Sequence, residues 1–290
     1  MTGTAKMCST SASTFQNATK LTRPARGLTE IMTKIDLNSD LGEAFGPWRM
    51  GDDKAILDVV TSANIACGGH AGDPATMVET LTLASERAVV AGAHPGFADR
   101  EGFGRRLIPL NIREVEQLVA TQTGALMGAA ALAGARVRYV KPHGALANWA
   151  ADERPVADAI VRATRAVSPE LAILAISGTE LEHAARDAGM TVFSEIFADR
   201  GYLSTGRLVP RNLPGAMIHD PAEAASRLIG YLSSGLMPTV DGVPIPLDAH
   251  SICVHGDSPG ALAMAVHVRQ ELQKAGIEVG PFLQPTKENR

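Results

Sequence analysis

Acidic, basic, imidazole and amide side chains recur in and at the ends of the short apolar segments of this chain. They are Asp40 and Glu43 after the first segment, Asn64, His70 and Asp73 in and after the second, His94 after the third, Lys141 and His143 after the fourth, Asp199 and Arg200 after the sixth, and His255 after the seventh. Carboxylates close to imidazoles can exchange protons with a substrate, because each group tunes the pKa of the other. A lysine among them can stabilise an oxyanion or a phosphate. The pattern therefore predicts a polar, hydrolytic site.

Arginines supply a second kind of candidate group. Arg106 ends the run Gly-Phe-Gly-Arg-Arg at 102–106, and Arg200, Arg207 and Arg211 follow the sixth segment. A guanidinium can hold a carboxylate through two parallel hydrogen bonds. We take Arg106, Arg200 and Arg211 as candidates for binding a substrate carboxylate.

A metal ion is an alternative use of the same residues. Asp40, His70, His94 and His255 are nitrogen and oxygen ligands of the types that divalent ions accept. The sequence has neither a His-Glu-x-x-His motif nor a Cys-x-x-Cys motif. No metal is assigned from the sequence, and a divalent ion at these four residues stays an open alternative.

Several function classes are excluded by composition and by missing motifs. The sequence has no Gly-x-x-x-x-Gly-Lys-[Ser/Thr] loop and no Gly-x-Ser-x-Gly elbow, which argues against P-loop ATP hydrolysis and covalent serine catalysis by this chain. A formal net charge of −4 gives no basic field for nucleic acid or anionic lipid. No apolar run reaches the roughly 18 residues that span a membrane. Three scattered cysteines indicate a reducing, cytoplasmic location.

Short apolar segments typical of strands alternate with longer segments of helical periodicity, and these elements must position the polar side chains. The predicted strands are Ile35–Asn38, Val59–Ala66, Val89–Ala93, Val137–Val140, Leu171–Ile176, Met190–Ile196 and His250–Val254. The predicted helices are Ala75–Val90, Ile112–Ala133, Arg154–Val167, Thr179–Ala188, Glu223–Leu232 and Gly260–Ala275. This alternation predicts parallel strands joined by helices, in a closed barrel or an open doubly wound sheet. Either arrangement opens the loops after the strands on one face, where the polar groups should converge.

The chain ends differ in composition from the segment between them. Residues 1–32 are rich in Ser, Thr and Ala and predict a disordered extension, read as an upstream start, a tag or a transit-like segment. We expect residues 33–280 to form a single α/β barrel domain and residues 281–290 to be a tail.

Six phrases at the strand ends resemble the LamB/YcsF family, the family of 5-oxoprolinase A subunits. They are Ile-Asp-Leu-Asn-Ser-Asp-Leu-Gly-Glu at 35–43, Ser-Ala-Asn-Ile-Ala-Cys-Gly-Gly-His-Ala-Gly-Asp-Pro at 62–74, Val-Lys-Pro-His-Gly-Ala-Leu at 140–146, Phe-Ala-Asp-Arg-Gly-Tyr at 197–202, Leu-Val-Pro-Arg at 208–211 and Ile-Cys-Val-His-Gly-Asp at 252–257. The resemblance implies a (βα)7-type, distorted TIM-like barrel related to polysaccharide-deacetylase barrels.

The resemblance also implies an activity: ATP-dependent conversion of 5-oxo-L-proline to L-glutamate together with partner subunits B and C. Carried over by motif, the site would comprise Asp40, Glu43, Asn64, His70, Asp73, His94, Lys141, His143, Asp199, Arg200 and His255. The chain departs from many relatives at Gly69, at Ala147 and in the segment 95–101. Smaller side chains at 69 and 147 would widen the pocket.

A mechanism can be stated for such a site as a hypothesis. ATP would be bound mainly by the partner subunits, and this chain would direct water at the activated ring. Asp40 paired with His70 or His255 would act as base, Lys141 would neutralise negative charge, and His143 would protonate the ring nitrogen. Two alternatives stay open, namely a metal-dependent amide or carbohydrate deacetylase and a non-catalytic subunit that carries substrate. Self-association is not decided by the sequence.

Overall fold

The short segments rich in Val, Ile and Ala form strands that are buried on both faces, as parallel strands covered by helices require. The computed structural model describes residues 34–255 and 260–284. Its strands, numbered in chain order, are β1 Lys34–Leu41, β2 Ser62–Ala66, β3 Val90–His94, β4 Val137–Val140, β5 Ala172–Ile176, β6 Val192–Phe197, β7 Leu236–Met237, β8 Ile245–Pro246, β9 Ser251–Cys253 and β10 Glu278–Val279.

Seven of these strands close into a parallel barrel. Their order is β1-β2-β3-β4-β5-β6-β9, and β9 also pairs with β1, with Asp36 opposite Ser251. The strand β10 pairs with the start of β1, and β7 and β8 form a separate antiparallel pair. The expected (βα)7-type barrel is therefore confirmed.

Helices connect successive barrel strands. They are α1 Asp53–Leu57, α2 Pro74–Glu86, α3 Ile112–Ala133, α4 Gly144–Asp152, α5 Arg154–Val167, α6 Glu180–Asp187, α7 Pro221–Ser234 and α8 Ala261–Lys274. The observed limits of α3 and α5 are those predicted. Helix α3 begins with a capping box between Asn111 and Glu114 and ends at Gly134, whose φ of 62° suits glycine. No helix in the described part of the chain is long and apolar enough to cross a membrane.

Two helices were not predicted from the sequence. Helix α1 has five residues, too few for a helical period to show. Helix α4 starts at Gly144, directly after His143, and no side chain caps its first turn. Its start therefore lacks the usual sequence signal for a helix N-terminus.

The barrel interior carries polar side chains as well as a hydrophobic core. Asp36, Asn38 and Asp40 alternate along β1 and are all buried. Asn38 Nδ2 donates to Ser251 Oγ at 2.6 Å, and Asn64 Nδ2 donates to Asn38 Oδ1 at 2.7 Å. Hydrogen bonds between strands thus satisfy these buried groups and fix the base of the site.

Some expectations fall outside the described residues. These are the predicted N-terminal extension at 1–32, Asp257 of the last family phrase and most of the predicted tail at 281–290.

Candidate active site

Lys141 lies among buried acids at the carboxyl end of β4. Its Nζ is 3.0 Å from Asp40 Oδ1, 2.8 Å from Glu195 Oε1 and 3.2 Å from Cys253 Sγ. Burial acts to lower the pKa of the ammonium group, but the carboxylates of Asp40 and Glu195 outweigh burial and hold this pKa well above its ordinary value. Lys141 is therefore a fixed positive charge in the site.

Asp40 connects Lys141 to an imidazole. Its Oδ1 accepts hydrogen bonds from Lys141 and, at 2.8 Å, from Asn64 Nδ2, and its Oδ2 lies 3.4 Å from His94 Nε2. Burial acts to raise the pKa of Asp40, but His94 and Lys141 reverse this effect and hold the pKa well below its ordinary value. The predicted partners of Asp40 were His70 or His255, but the imidazole paired with it is that of His94, while His255 lies within 4.8 Å of Asp40. Strand-end positions place all of these residues on one face but do not decide which of them touch.

Three imidazoles and one carboxylate form a compact group beside Asp40. His70 Nε2 lies 3.2 Å from Glu43 Oε1, and His143 Nδ1 lies 3.8 Å from the same oxygen. His94 Nε2 lies 3.0 Å from His143 Nδ1. The rings of His70 and His143 are stacked, with centroids 3.6 Å apart. We call these four residues the histidine–glutamate cluster.

The imidazoles of His70 and His143 resist protonation. Burial, reinforced by the other histidines of the cluster, lowers the pKa of both rings well below its ordinary value. A neutral ring has no acidic proton to give near neutral pH. In addition, His143 Nε2 lies 2.8 Å from the main-chain oxygen of Phe103. The geometry therefore does not favour His143 as the proton donor to a substrate.

His255 is paired with a carboxylate on one side of its ring. Its Nδ1 lies 2.9 and 2.8 Å from the two oxygens of Asp199, so this nitrogen donates to the acid. Burial acts to raise the pKa of Asp199, but His255 outweighs it and the pKa is lowered. On the other side of the ring, Nε2 accepts a hydrogen bond from Arg211 at 3.2 Å. A carboxylate thus orients an imidazole that can accept a proton, as in hydrolases that use an Asp–His pair.

A cavity of about 700 Å³ opens above these groups. This volume suits a small-molecule ligand. Seven of the residues predicted from the sequence line it: Asp40, His94, Lys141, His143, Arg200, Arg211 and His255.

Arg200 supports the cavity wall instead of offering an open fork. Its Nε donates to the main-chain oxygen of Ala216 at 3.1 Å, and its Nη2 donates to that of Val209 at 2.7 Å. Burial, reinforced by nearby Arg211, lowers the pKa of Arg200 to about 10. These bonds hold the loop between 200 and 217 over the cavity.

Four other predicted residues lie behind the lining side chains. Glu43 and His70 contact each other, Asn64 donates to Asp40, and Asp199 accepts from His255. Each of them touches a residue that reaches the cavity or a member of the histidine–glutamate cluster. We therefore regard them as positioning residues.

Two predicted substrate-binding residues lie outside the site. Asp73 is the N-cap of α2, and its carboxylate accepts from the main-chain nitrogens of Thr76 at 2.8 Å and Gly46 at 2.7 Å. The Arg106 side chain is 65% exposed and pairs with Asp99. The assignment of Asp73 and Arg106 to a substrate is thus not supported, because capping and a loop ion pair account for both. Of the two neighbouring arginines, Arg105 lines the cavity.

Besides Arg105, two lining residues were not assigned to the site from the sequence, although Arg207 was named among the arginines that could bind a carboxylate. Glu195 is fully buried in β6, and burial raises the pKa of its carboxyl group despite the opposing effect of Lys141. A carboxylate inside the otherwise apolar run Val-Phe-Ser-Glu-Ile-Phe was the available signal. Arg207 also lines the cavity and donates to Asp152 Oδ1 at 2.5 Å.

Only one of the two positions expected to widen the pocket lies at the cavity. Ala147 lines the cavity. Gly69 does not, and a Cβ there would lie 2.5 Å from both Gln122 Nε2 and the main-chain oxygen of Gly96. Gln122 already fills the space beside Gly69, so the small residue does not enlarge the cavity.

Comparison with known proteins identifies relatives across nearly the whole described chain. The model of the LamB/YcsF family matches residues 35–287. The A subunit of 5-oxoprolinase from Azorhizobium caulinodans is 51% identical over 251 residues, which are 87% of this chain and 99% of that protein. A 5-oxoprolinase A subunit of Pseudomonas syringae pv. tomato is 49% identical over 251 residues, 87% of this chain and 98% of that protein.

Solved structures show the same fold. The crystal structure of a "lactam utilization protein" from Thermus thermophilus has a TM-score of 0.80 and 42% identity, and the match covers 85% of this chain and 99% of that one. A "putative cellobiose-phosphate cleavage protein" from Enterococcus faecalis has a TM-score of 0.53 at 12% identity, over 87% of this chain and 98% of that one. The second likeness concerns the fold alone.

Proposed function

The chain belongs to the LamB/YcsF family, and on that premise we propose that it is the ring-opening subunit of a multi-subunit 5-oxoprolinase. The names of the relatives support a role in 5-oxoproline metabolism. The proposed reaction is the ATP-dependent conversion of 5-oxo-L-proline to L-glutamate. One observation carries the proposal, namely an Asp199–His255 pair that places an imidazole at a cavity next to a buried lysine.

The proposed chemistry follows from the stability of a lactam. The ring amide is unactivated, so transfer of a phosphoryl group from ATP to the lactam oxygen would supply the activation. Water then adds to the ring carbon, and the carbon–nitrogen bond breaks as the nitrogen gains a proton. Hydrolysis of the remaining acyl phosphate gives glutamate and inorganic phosphate. The chain has no P-loop motif, and we propose that the nucleotide is bound mainly by partner subunits B and C.

We assign the proton transfers to His255. Asp199 holds Nδ1–H, so the lone pair of the ring is on Nε2, which would take a proton from the attacking water once that water replaces Arg211 as its partner. The same nitrogen can then return that proton to the leaving ring nitrogen, so one residue serves as base and then as acid. This role replaces the predicted base built on Asp40 and the predicted donor His143.

The positive groups of the cavity have a complementary role in this proposal. Lys141 stays charged and lines the cavity, where it can stabilise negative charge on the lactam oxygen or its phosphate. Arg105 and Arg211 also line the cavity and can bind the substrate carboxylate. We also propose a cytoplasmic location, which agrees with the free, buried thiols of Cys67 and Cys253.

The test is reconstitution of the chain with candidate B and C subunits and measurement of glutamate and phosphate release. Asp199→Asn should remove the acid that fixes the His255 tautomer and lower kcat by about 100- to 10,000-fold. The matched control is His183→Gln, since His183 is a half-exposed histidine on α6 outside the cavity.

The two alternative functions give different results in the same assay. A subunit that only carries substrate would show a raised KM for Asp199→Asn with kcat unchanged. A deacetylase would release acetate from an acetylated amide or sugar without ATP and without partner subunits. Either result would contradict the proposed function.

A further inference from the structure

We propose that the histidine–glutamate cluster binds one divalent transition-metal ion of the zinc class at the floor of the cavity. Each of its four residues, Glu43, His70, His94 and His143, offers one ligand atom, and these atoms all lie within 4.8 Å of one another. The inference concerns metal binding and does not depend on the proposed lactam chemistry. It also differs from the ligand set that the sequence left open, because it replaces Asp40 and His255.

The hydrogen bonds of two histidines favour a positive charge between their rings. His94 Nδ1 lies 2.7 Å from the main-chain oxygen of Lys141, and His143 Nε2 lies 2.8 Å from that of Phe103. A carbonyl oxygen only accepts, so both of these nitrogens carry hydrogen. In neutral rings the remaining nitrogens then present lone pairs, and these face each other at 3.0 Å. A positive charge shared by the two rings resolves this repulsion.

The same two carbonyl contacts are typical of metal-binding histidines. A ligating imidazole commonly donates its other ring N–H to a carbonyl or carboxylate, which fixes the tautomer and the ring orientation. His94 and His143 both meet this condition, through Lys141 O and Phe103 O respectively. Their free nitrogens are therefore oriented as ligands before any ion binds.

Three of the six separations between the ligand atoms of the cluster are close to those of a four-coordinate site, and all six lie within 4.8 Å. Zinc–nitrogen and zinc–oxygen bonds of roughly 2.0–2.1 Å in a tetrahedron place neighbouring ligand atoms about 3.3 Å apart. The observed separations are 3.0 Å for His94–His143, 3.2 Å for His70–Glu43 and 3.8 Å for His143–Glu43. A four-coordinate site with three nitrogens and one oxygen as ligands requires the stacked rings of His70 and His143 to tilt, so that both ring planes meet at the ion.

Glycines allow the cluster to pack this tightly. A Cβ at Gly96 would lie 2.7 Å from His70 Nδ1, and a Cβ at Gly104 would lie 2.7 Å from His70 Cβ and 3.0 Å from His143 Cδ2. All four cluster residues are buried, at 6% exposure or less. The surrounding chain thus holds the ligands in place and leaves His94 and His143 at the cavity surface.

The partners of Asp40 and His255 explain why these two residues are not ligands in the proposal. Asp40 Oδ1 already accepts from Lys141 and Asn64. His255 donates to Asp199 and accepts from Arg211. Both residues therefore already have partners outside the histidine–glutamate cluster, and among the cluster residues His94 would give up its 3.4 Å contact with Asp40 Oδ2 on binding the ion.

The test is metal binding by the full chain, without any activity assay. Protein stripped with a chelator is titrated with Co²⁺, followed by visible absorption and calorimetry, and then challenged with Zn²⁺. We expect one ion per chain, with the strong absorption of four-coordinate cobalt, and displacement by zinc. Glu43→Gln and His143→Gln should each weaken binding about 100-fold or more, and the control His255→Gln should not.

Three results would overturn the proposal. Wild-type protein that binds no Co²⁺ or Zn²⁺ would show that a proton supplies the shared charge. Unchanged affinity in both Glu43→Gln and His143→Gln would place the ion elsewhere. Equal loss in His255→Gln would support the other ligand set. Circular dichroism of each variant shows whether it folds. If His143→Gln does not fold, Glu43→Gln still tests the proposal, because it keeps the shape of the side chain.

Discussion

Replacing Lys141 with methionine tests the charge arrangement at the centre of the site. The substitution keeps the length of the side chain but leaves Asp40 and Glu195 without the cation that lies 3.0 and 2.8 Å away. At an effective dielectric constant of about 20, each of these contacts corresponds to roughly 6 kcal/mol of attraction. Much of this attraction offsets desolvation, and loss of one partner of a buried pair typically costs about 3–5 kcal/mol. We therefore expect Lys141→Met to lower the free energy of unfolding at pH 7 by about 3–5 kcal/mol.

The measurement is urea denaturation of both proteins at pH 7 and pH 5. The loss of unfolding free energy should be smaller at pH 5 than at pH 7. Carboxylates buried without their cation have raised pKa values and take up protons at pH 5, and a neutral carboxyl group costs less to bury than an unpaired charge. The slope of the transition should stay the same, since the exposed surface on unfolding does not change.

A surface ion pair with similar distances is the matched control. Arg154 Nε lies 2.8 Å from Asp158 Oδ1, and its Nη2 lies 2.8 Å from Asp187 Oδ2, but its side chain is 40% exposed. Solvent screens such pairs, so Arg154→Met should cost far less than Lys141→Met. Equal losses for the two variants would refute the view that burial, and not distance, determines the strength of the Lys141 contacts. If adding Glu195→Gln restores part of the stability that Lys141→Met loses, this view is supported.

Further predictions concern the barrel core and its acids. Gly92→Ala should destabilise the barrel by about 1–3 kcal/mol in urea denaturation, because the added Cβ would lie 2.2 Å from the fully buried ring of Tyr139. Gly124→Ala, in helix α3 with nothing within 4 Å of the new Cβ, should instead stabilise by about 0.5–1 kcal/mol, and the same sign for both would contradict the packing argument. Burial raises the pKa of Asp36 from 3.8 to about 6, so the folded state keeps a proton that the unfolded state releases. The resulting stabilisation is present below pH 4 and is lost as pH rises to about 6. Over this range the free energy of unfolding should fall by about 3 kcal/mol relative to that of Asp36→Asn. A constant difference between the two proteins would show that Asp36 ionises normally.

The fold was predictable from the sequence because its signals are local and repeated. Apolar residues repeat with a period of 2 in strands and 3.6 in helices, and each pattern lies within a single segment. Caps such as Asp73-Pro74 and Gly134 mark helix ends without reference to tertiary structure. Convergence of the polar groups was equally predictable, because all loops after parallel strands open on one face. The short helix α1 and the uncapped start of α4 had no comparable signal.

Pairing within the site was not predictable, because it depends on side-chain direction across several strands. Asp40 was expected to pair with His70 or His255, but the imidazole in contact with it is that of His94, and His255 lies only within 4.8 Å. A strand-end aspartate such as Asp73 can equally cap the next helix, and local sequence cannot separate that use from substrate binding. Glu195 shows the opposite case, since a carboxylate within a buried strand is informative by itself even when its partner lies on another strand.

The two acids of the site divide its electrostatic roles between them. Asp40 contacts both Lys141 and His94, so its negative charge is balanced by fixed partners and changes little during a proton transfer. Asp199 contacts only His255 among the imidazoles of the described chain, so its charge orients and stabilises the one ring whose Nε2 is bonded only to a partly exposed arginine. A base must gain and lose a proton within each turnover, whereas a group that stabilises developing charge must keep its own charge constant. In the proposed mechanism, separate carboxylates for these two tasks let Lys141 stay charged without holding back the proton transfers of His255.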